Sequence, residues 1–139
     1  MGITYAEIEL IRADDLALER AGYLDPDQIN RIRVLSLVDT GASMLTISRT
    51  LSQKLNLTKL DEVDAELANG SLMRADVVGP LEVRFQNRKT VVNAVVVEAD
   101  TDVLLGAIPM QGMDVMVDPK REQLILNPDS PDKARMLMK

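Results

Sequence analysis

The sequence predicts an all-β fold with one or two short helices. Residues 31–38, 81–85 and 90–97 are short runs rich in Val, Leu and other strand formers, several with apolar side chains at alternate positions. Asn69-Gly70 lies between two segments able to pair, and both residues tolerate positive φ, the strongest hairpin signal in the chain. Polar turn chemistry recurs between the other apolar runs, at residues 86–89 and 118–121.

Taken in order, residues 3–11 place Glu7 and Glu9 at alternate positions among Ile, Thr and Tyr, as a strand with one wet face requires. Asp14 is placed to cap a helix running to Ala21, with Asp15 near its positive end, Arg20 near its negative end and Gly22 ending it. Pro26 marks a loop. In residues 31–38 alternation gives way to Val34-Leu35-Ser36-Leu37-Val38, the pattern of a strand entering a core, and Asp39-Thr40-Gly41 follows at once. Ser48 is placed to cap a helix that covers the preceding strand, with Leu51 and Leu55 one turn apart and Asn56 at its end.

Residues 63–78 are predicted to form the hairpin around Asn69-Gly70, and 81–85 with 90–97 a second one across a polar turn at 86–89. Val103-Leu104-Leu105 reads as a short strand ahead of Gly106. Pro109 to Gln111 reads as one helical turn, Pro being pre-organised for the first helical position and Gly112 ending it. Residues 115–117 and 124–126 read as strands joined across Asp118-Pro119-Lys120-Arg121. From Asn127 onward the chain reads as loop, with Asp132 capping a last short helix. No repeat or linker divides residues 1–139, so a single domain is expected from 139 residues.

The composition excludes more chemistry than it suggests. There is no His and no Cys, which removes Ser-His-Asp triads, cysteine nucleophiles, Cys/His zinc sites and cysteine-held iron–sulfur clusters. Carboxylate chemistry remains, together with Ser–Lys nucleophiles and oxygen-ligated metals. Apolar residues make up 46% and charged residues 27%, which predicts a folded chain with neither pervasive disorder nor a membrane span. The net charge is −6, the basic residues are scattered, and only Tyr5, Tyr23 and Phe85 are aromatic. Nucleic acid is therefore not an expected partner. The N-terminal residues lack the basic, apolar and small-residue regions of a secretory signal, so cytoplasmic residence is expected.

Asp39 is the residue that demands an explanation. It stands at the end of an apolar strand, and removing a carboxylate from water is costly unless something compensates it. Asp, Thr and Gly all suit turns, so the triplet alone proves little. Its setting adds to it: Leu37-Val38-Asp39-Thr40-Gly41-Ala42-Ser43, a glycine-tipped hairpin, and then Leu104-Leu105-Gly106, in that order. Together these resemble the retroviral-type aspartic proteases, the single-domain retropepsin-like family, over roughly residues 31–128. The stretch from Leu104 to Leu126 is similar to the bacterial members in particular.

The resemblance implies a closed, barrel-like fold and an aspartic endopeptidase that needs no cofactor and no metal. Such chains carry one Asp-Thr-Gly and build the catalytic pair from two subunits, so it implies a homodimer in which Asp39 faces its mate and the two share a proton. Thr40 would bond across the two-fold axis, and Gly41 would let the backbone of a peptide or protein substrate approach. Ala42 stands where pepsin-like enzymes place a hydroxyl, which implies a mildly acidic to near-neutral optimum. Ala68, Asn69, Gly70, Ser71 and Leu72 would form a flap over the substrate, with Leu72 and Met73 either lining subsites or simply packed. Leu104, Leu105 and Gly106 would support the active loop from beneath. The chain departs from the viral pattern at Ser43, where an Asp is common, at Ala107, where an Arg is common, and in having one glycine at the flap tip.

Two other readings compete. The fold could serve as a catalytically weak or inactive dimeric protein-binding module, since fold alone does not prove activity. Oxygen-ligated metal chemistry could use Asp100 with Asp102 or Asp14 with Asp15, but hard cations need several converging oxygens and these pairs read as solvated turns. No Ser-x-x-Lys sits where a strand meets a helix, so a Ser–Lys nucleophile has less support still.

Overall fold

The computed structural model describes residues 3–66 and 69–135. The first strand, β1 (Tyr5–Arg12), buries Ala6, Ile8 and Leu10 and leaves Tyr5 and Glu7 exposed, as the period-2 pleat dictates. It runs without a break into α1 (Ala13–Arg20). Asp14 is therefore not the cap: Arg12 holds that position, with no side-chain capping bond, and Asp14 and Asp15 lie in the first turn. Asp15 turns inward, where Arg12 pairs with it and Asn30 donates from its backbone and side-chain nitrogens at 2.8 Å each. Burial pushes its carboxyl upward, but these bonds outweigh burial and hold it below the usual range.

After a 3-10 turn at Pro26–Gln28, β2 (Arg31–Val38) has its expected bounds but does not sink into the core. Leu35 is 61% exposed, and only Ser36 is fully buried, its hydroxyl donating to the carbonyl of Ala6 at 2.8 Å. The apolar run at 34–38 belongs to both faces of a barrel wall rather than to a submerged strand. A strand absent from the sequence reading, β3 (Leu45–Ser48), follows; four residues are too few to display a period. Ser48 does cap α2 (Arg49–Lys54), accepting from the amide of Leu51 at 3.1 Å, and Asn56 follows its end at φ 52°. This helix packs on β3 rather than on β2.

The strands β4 (Thr58–Glu66) and β5 (Leu72–Phe85) form the expected hairpin, paired from Glu66↔Leu72 to Thr58↔Gly79 with one register shift between Lys59 and Asp61. β5 is one strand of 14 residues, and it turns through Gln86-Asn87 into β6 (Arg88–Val97). Arg88, expected in a polar turn, is 2% exposed and donates to the carbonyl of Ser130. Leu72 and Met73 are exposed rather than packed.

β7 (Val103–Leu105) leads through Gly106 into α3 (Ala107–Met113), which makes two turns instead of one. Gly112 lies inside it because Thr90 of β6 presses against that face: a Cβ there would stand 2.3 Å from Thr90 Oγ1. Asp114, at φ 55°, is the residue that ends the helix. β8 (Val115–Asp118) and β9 (Gln123–Leu126) form a separate two-stranded hairpin. No helix follows among the described residues, so Asp132 caps none there. The segment from 127 is instead tied down by Asp114, whose carboxylate accepts from the Ser130 hydroxyl, from Asn127 Nδ2 at 2.9 Å and from the Arg135 amide at 2.9 Å.

Six strands close a mixed barrel in the order β1-β2-β7-β3-β6-β5, and the antiparallel pairing of β1 with β5 completes the ring. β2 with β7 and β3 with β6 are the parallel pairs. Closure removes the free edges those strands would otherwise expose. Ile8, Leu10, Leu45, Ile47, Leu81 and Val83 fill the interior, with Met110 and Met113 of α3 packed into the same cluster. Full burial of each such side chain contributes about 1.5–3 kcal/mol. β4 stays outside the ring, paired only with β5. Among the described residues no helix is long and apolar enough to cross a membrane.

Candidate active site

Asp39 leaves the barrel wall at the end of β2. Parallel pairing sets β7 beside β2 with Val38 opposite Leu105, so both chains exit at the same end of the barrel. The Asp39 amide donates to the carbonyl of Leu105 at 3.0 Å, which extends the ladder one residue into the loop. The chain then turns sharply, with the Ala42 amide donating to the Asp39 carbonyl at 3.2 Å. Within this turn the Gly41 amide donates to Asp39 Oδ1 at 3.0 Å, fixing the carboxylate against its own loop. Among the described residues nothing donates to Oδ2.

The loop is held from its other side by the chain that follows β7. The amides of Ala107 and Ile108 donate to the carbonyls of Ala42 and Ser43 at 2.8 and 2.9 Å. Gly106 makes that approach possible: a Cβ there would stand 2.5 Å from the carbonyl oxygen of Met44 and 2.8 Å from that of Ala42. Its φ of −87° is open to any residue, so the requirement is space alone. The structure thus joins Asp39, Gly41, Ala42 and Ser43 to Leu105 and Gly106 in one rigid corner. Leu104 pairs with Leu37 on one side and Thr46 on the other, anchoring the support within the sheet. Thr40, Gly41 and Ser43 are exposed, while Asp39 is partly buried.

The hairpin tip is a separate feature. Asn69 Oδ1 accepts from the amide and hydroxyl of Ser71 at 3.0 and 2.6 Å, and Gly70 takes φ 83°. Ala68 lies outside the described residues. No hydrogen bond among the described residues joins this tip to the Asp39 loop.

A pocket of about 530 Å³ opens beside Asp39 and Thr40. Its walls include Ile3, Leu37, Val117, Pro119 and Glu122, residues to which the sequence reading gave no part in a site. The hairpin that carries Val117 on β8 and Glu122 in its turn is legible in the sequence, but nothing local reports that it lies next to residue 39.

A family model described as aspartyl protease matches residues 27–107, more than half of the chain. The chain belongs to the aspartyl protease family, within the retropepsin-like clan. The matched span runs from before β2 to the first residue of α3, so it holds both halves of the interlocked corner. No curated protein matches this chain. Membership gives the Asp-Thr-Gly turn a hydrolytic context, and the barrel is the architecture expected of such an enzyme.

Proposed function

We propose that this aspartyl protease is an endopeptidase that works as a homodimer, with Asp39 of each subunit forming the catalytic pair. The observation that carries the reading is the fixed corner at the end of β2, where the Gly41 amide holds Oδ1 while Oδ2 accepts no hydrogen bond among the described residues. One carboxylate cannot act as general base and general acid at the same moment, and each chain supplies a single Asp-Thr-Gly. A two-fold partner provides the second.

As in aspartic proteases generally, two carboxylates a few ångströms apart share one proton, because both cannot ionise cheaply. The ionised member takes a proton from water, whose oxygen adds to the scissile carbonyl carbon. The protonated member gives its proton to the carbonyl oxygen, and a gem-diol forms. The first member then delivers its proton to the departing nitrogen as the C–N bond breaks, and the diol returns one proton to the pair. No covalent intermediate is needed, which suits a chain without His or Cys. The pair titrates as a unit.

Thr40, exposed beside Asp39, serves as the residue that bonds across the axis, and Gly41 admits the substrate backbone. The hairpin tip at 69–72 acts as the flap that excludes water during the reaction. The substrate is an extended peptide or unfolded protein segment, cleaved in the cytoplasm at mildly acidic to near-neutral pH, with the whole chain acting as one domain.

The test uses an unfolded protein substrate between about pH 4 and pH 7, with and without a statine-type mimic of the gem-diol, alongside sedimentation equilibrium. Cleavage should require the dimer, be blocked by the mimic, and fall at least about a hundredfold in Asp39→Asn. Cleavage that persists in that variant overturns the protease reading. A stable dimer that never cleaves would leave a protein-binding module instead.

A further inference from the structure

The β4–β5 hairpin leaves the barrel at a defined point. β5 pairs with β6 only from Val77 onward, with Val77 opposite Val95, while residues 72–76 pair with β4 alone. Residues 62–66 and 72–76 therefore form a two-stranded arm with no third strand paired to it among the described residues. Asp76, opposite Glu62, is the last residue of that arm. Both ladders are irregular on the barrel side of this point, with register shifts between Lys59 and Asp61 in β4 and between Val78 and Leu81 in β5. Such shifts bend and twist a strand pair locally.

The departure point is also where the charges converge. Arg49, the first residue of α2, reaches from the barrel so that Nη2 lies 3.0 Å from Asp76 Oδ2 and 2.7 Å from Glu98 Oε1. Asp76 Oδ1 faces Lys59 of β4 at 3.3 Å, and Lys59 pairs with Glu62 at 2.6 Å. One guanidinium thus joins the last residue of the arm to the segment that follows β6, and one carboxylate joins Arg49 to β4. Arg49 and Asp76 are both partly buried, at 32% and 22% side-chain exposure, so solvent screens this pair less than a fully exposed one.

We propose that Arg49 is the fulcrum latch of the hairpin: by bridging Asp76 and Glu98 it sets the angle at which the arm leaves the barrel and so the fraction of molecules poised to close over substrate. Arg49 is a positioning residue and touches no reacting atom. Its effect on turnover rests on the proposed peptidase reading, whereas its effect on the arm does not. A pre-set arm leaves less to be ordered when substrate binds, and apparent affinity scales with the poised fraction. Arginine suits the task because its planar fork can satisfy two carboxylates at once, which a lysine does less well.

Amide hydrogen exchange on the full-length protein tests the latch without any assay of activity. In Arg49→Gln, amides at 62–66 and 72–76 should exchange about three- to tenfold faster, while those at 81–85 stay unchanged. Arg49→Lys should fall between the two. High salt should speed exchange in the arm of the native protein and do little in the variant. In the peptidase assay Arg49→Gln should raise KM about three- to tenfold with kcat within about twofold; a loss of folded enzyme would lower kcat and leave KM alone. If Arg49→Gln does not fold, the near-isosteric Asp76→Asn carries the same expectations. Unchanged exchange in the arm, or equal acceleration through the barrel, overturns the latch. A native protein that shows the arm-specific change but cleaves nothing sinks the peptidase reading and leaves the latch standing.

Discussion

The amide of Ala107 donates to the carbonyl of Ala42 at 2.8 Å, although 64 residues of chain separate them. With the matching bond from Ile108 to Ser43, it clamps the Asp39 turn against the start of α3. The Asp39 carboxylate is held by a backbone amide, that of Gly41, rather than by another side chain. Rigid support of this kind is what a reaction run by proton transfer requires, since small displacements of the reacting groups are costly.

Gly106→Ala tests that clamp. The added methyl would stand 2.5 Å from Met44 O and 2.9 Å from Ser43 C, both backbone, so the two loops must part. A loss of about 1–3 kcal/mol in urea unfolding is expected, the usual cost of forcing an extra carbon into a packed site. An unchanged unfolding midpoint would refute the interlock as a source of stability.

Thr40 separates dimer formation from chemistry. If its hydroxyl bonds across the axis, Thr40→Val should weaken the dimer about tenfold, a fitting cost for one lost interfacial hydrogen bond whose partner is left unpaired. Thr40→Ser should stay close to the native protein. Analytical ultracentrifugation over a range of concentrations reads the difference, and equal dissociation constants for all three proteins would remove Thr40 from the interface.

Gly112 and Thr90 should be coupled. Alanine within a helix normally stabilises relative to glycine by about 0.5–1 kcal/mol. Here the new carbon would meet Thr90 Oγ1 at 2.3 Å and Thr90 Cβ at 3.0 Å, so Gly112→Ala should destabilise. In a Thr90→Ala background the closest clash is gone and most of the penalty should disappear. A double-mutant cycle with a coupling of about 1 kcal/mol or more is the expected result, and simple additivity would contradict the contact.

Asp114 is expected to contribute to the acid limb of stability. The Ser130 hydroxyl, then Asn127 and the Arg135 amide, hold its carboxyl down to about 2, against an ordinary value of 3.8. A depressed folded-state value means that the ionised form stabilises the fold above pH 3.8 and that this contribution is lost as pH falls toward about 2. Asp114→Asn should therefore be less stable at about pH 6 and should lose less on acidification between about pH 4 and pH 2. Thermal melts across that range check it; parallel profiles would exclude Asp114 as the source. The proposed working range lies above this window, so the segment from 127 to 135 stays fastened there.

Local chemistry determined much of this protein. Asp39-Thr40-Gly41 at the end of a strand, the Asn69-Gly70 hairpin and the Ser48 cap are all short-range patterns, legible because the residues that carry them are neighbours in the chain. The absence of His and Cys narrowed the chemistry before any fold was considered. The closure of β1 on β5, the short β3, the burial of Arg88 and the pocket wall from β8 and the turn after it were decided only by the tertiary structure. Each depends on partners far away in sequence: Val38 meets Leu105, Leu45 meets Ala94, and Arg88 meets Ser130. A four-residue strand has no period to read, and a charged residue after a turn looks solvated until a distant segment folds over it. The sequence named the acid, and pairing between remote strands determined what surrounds it.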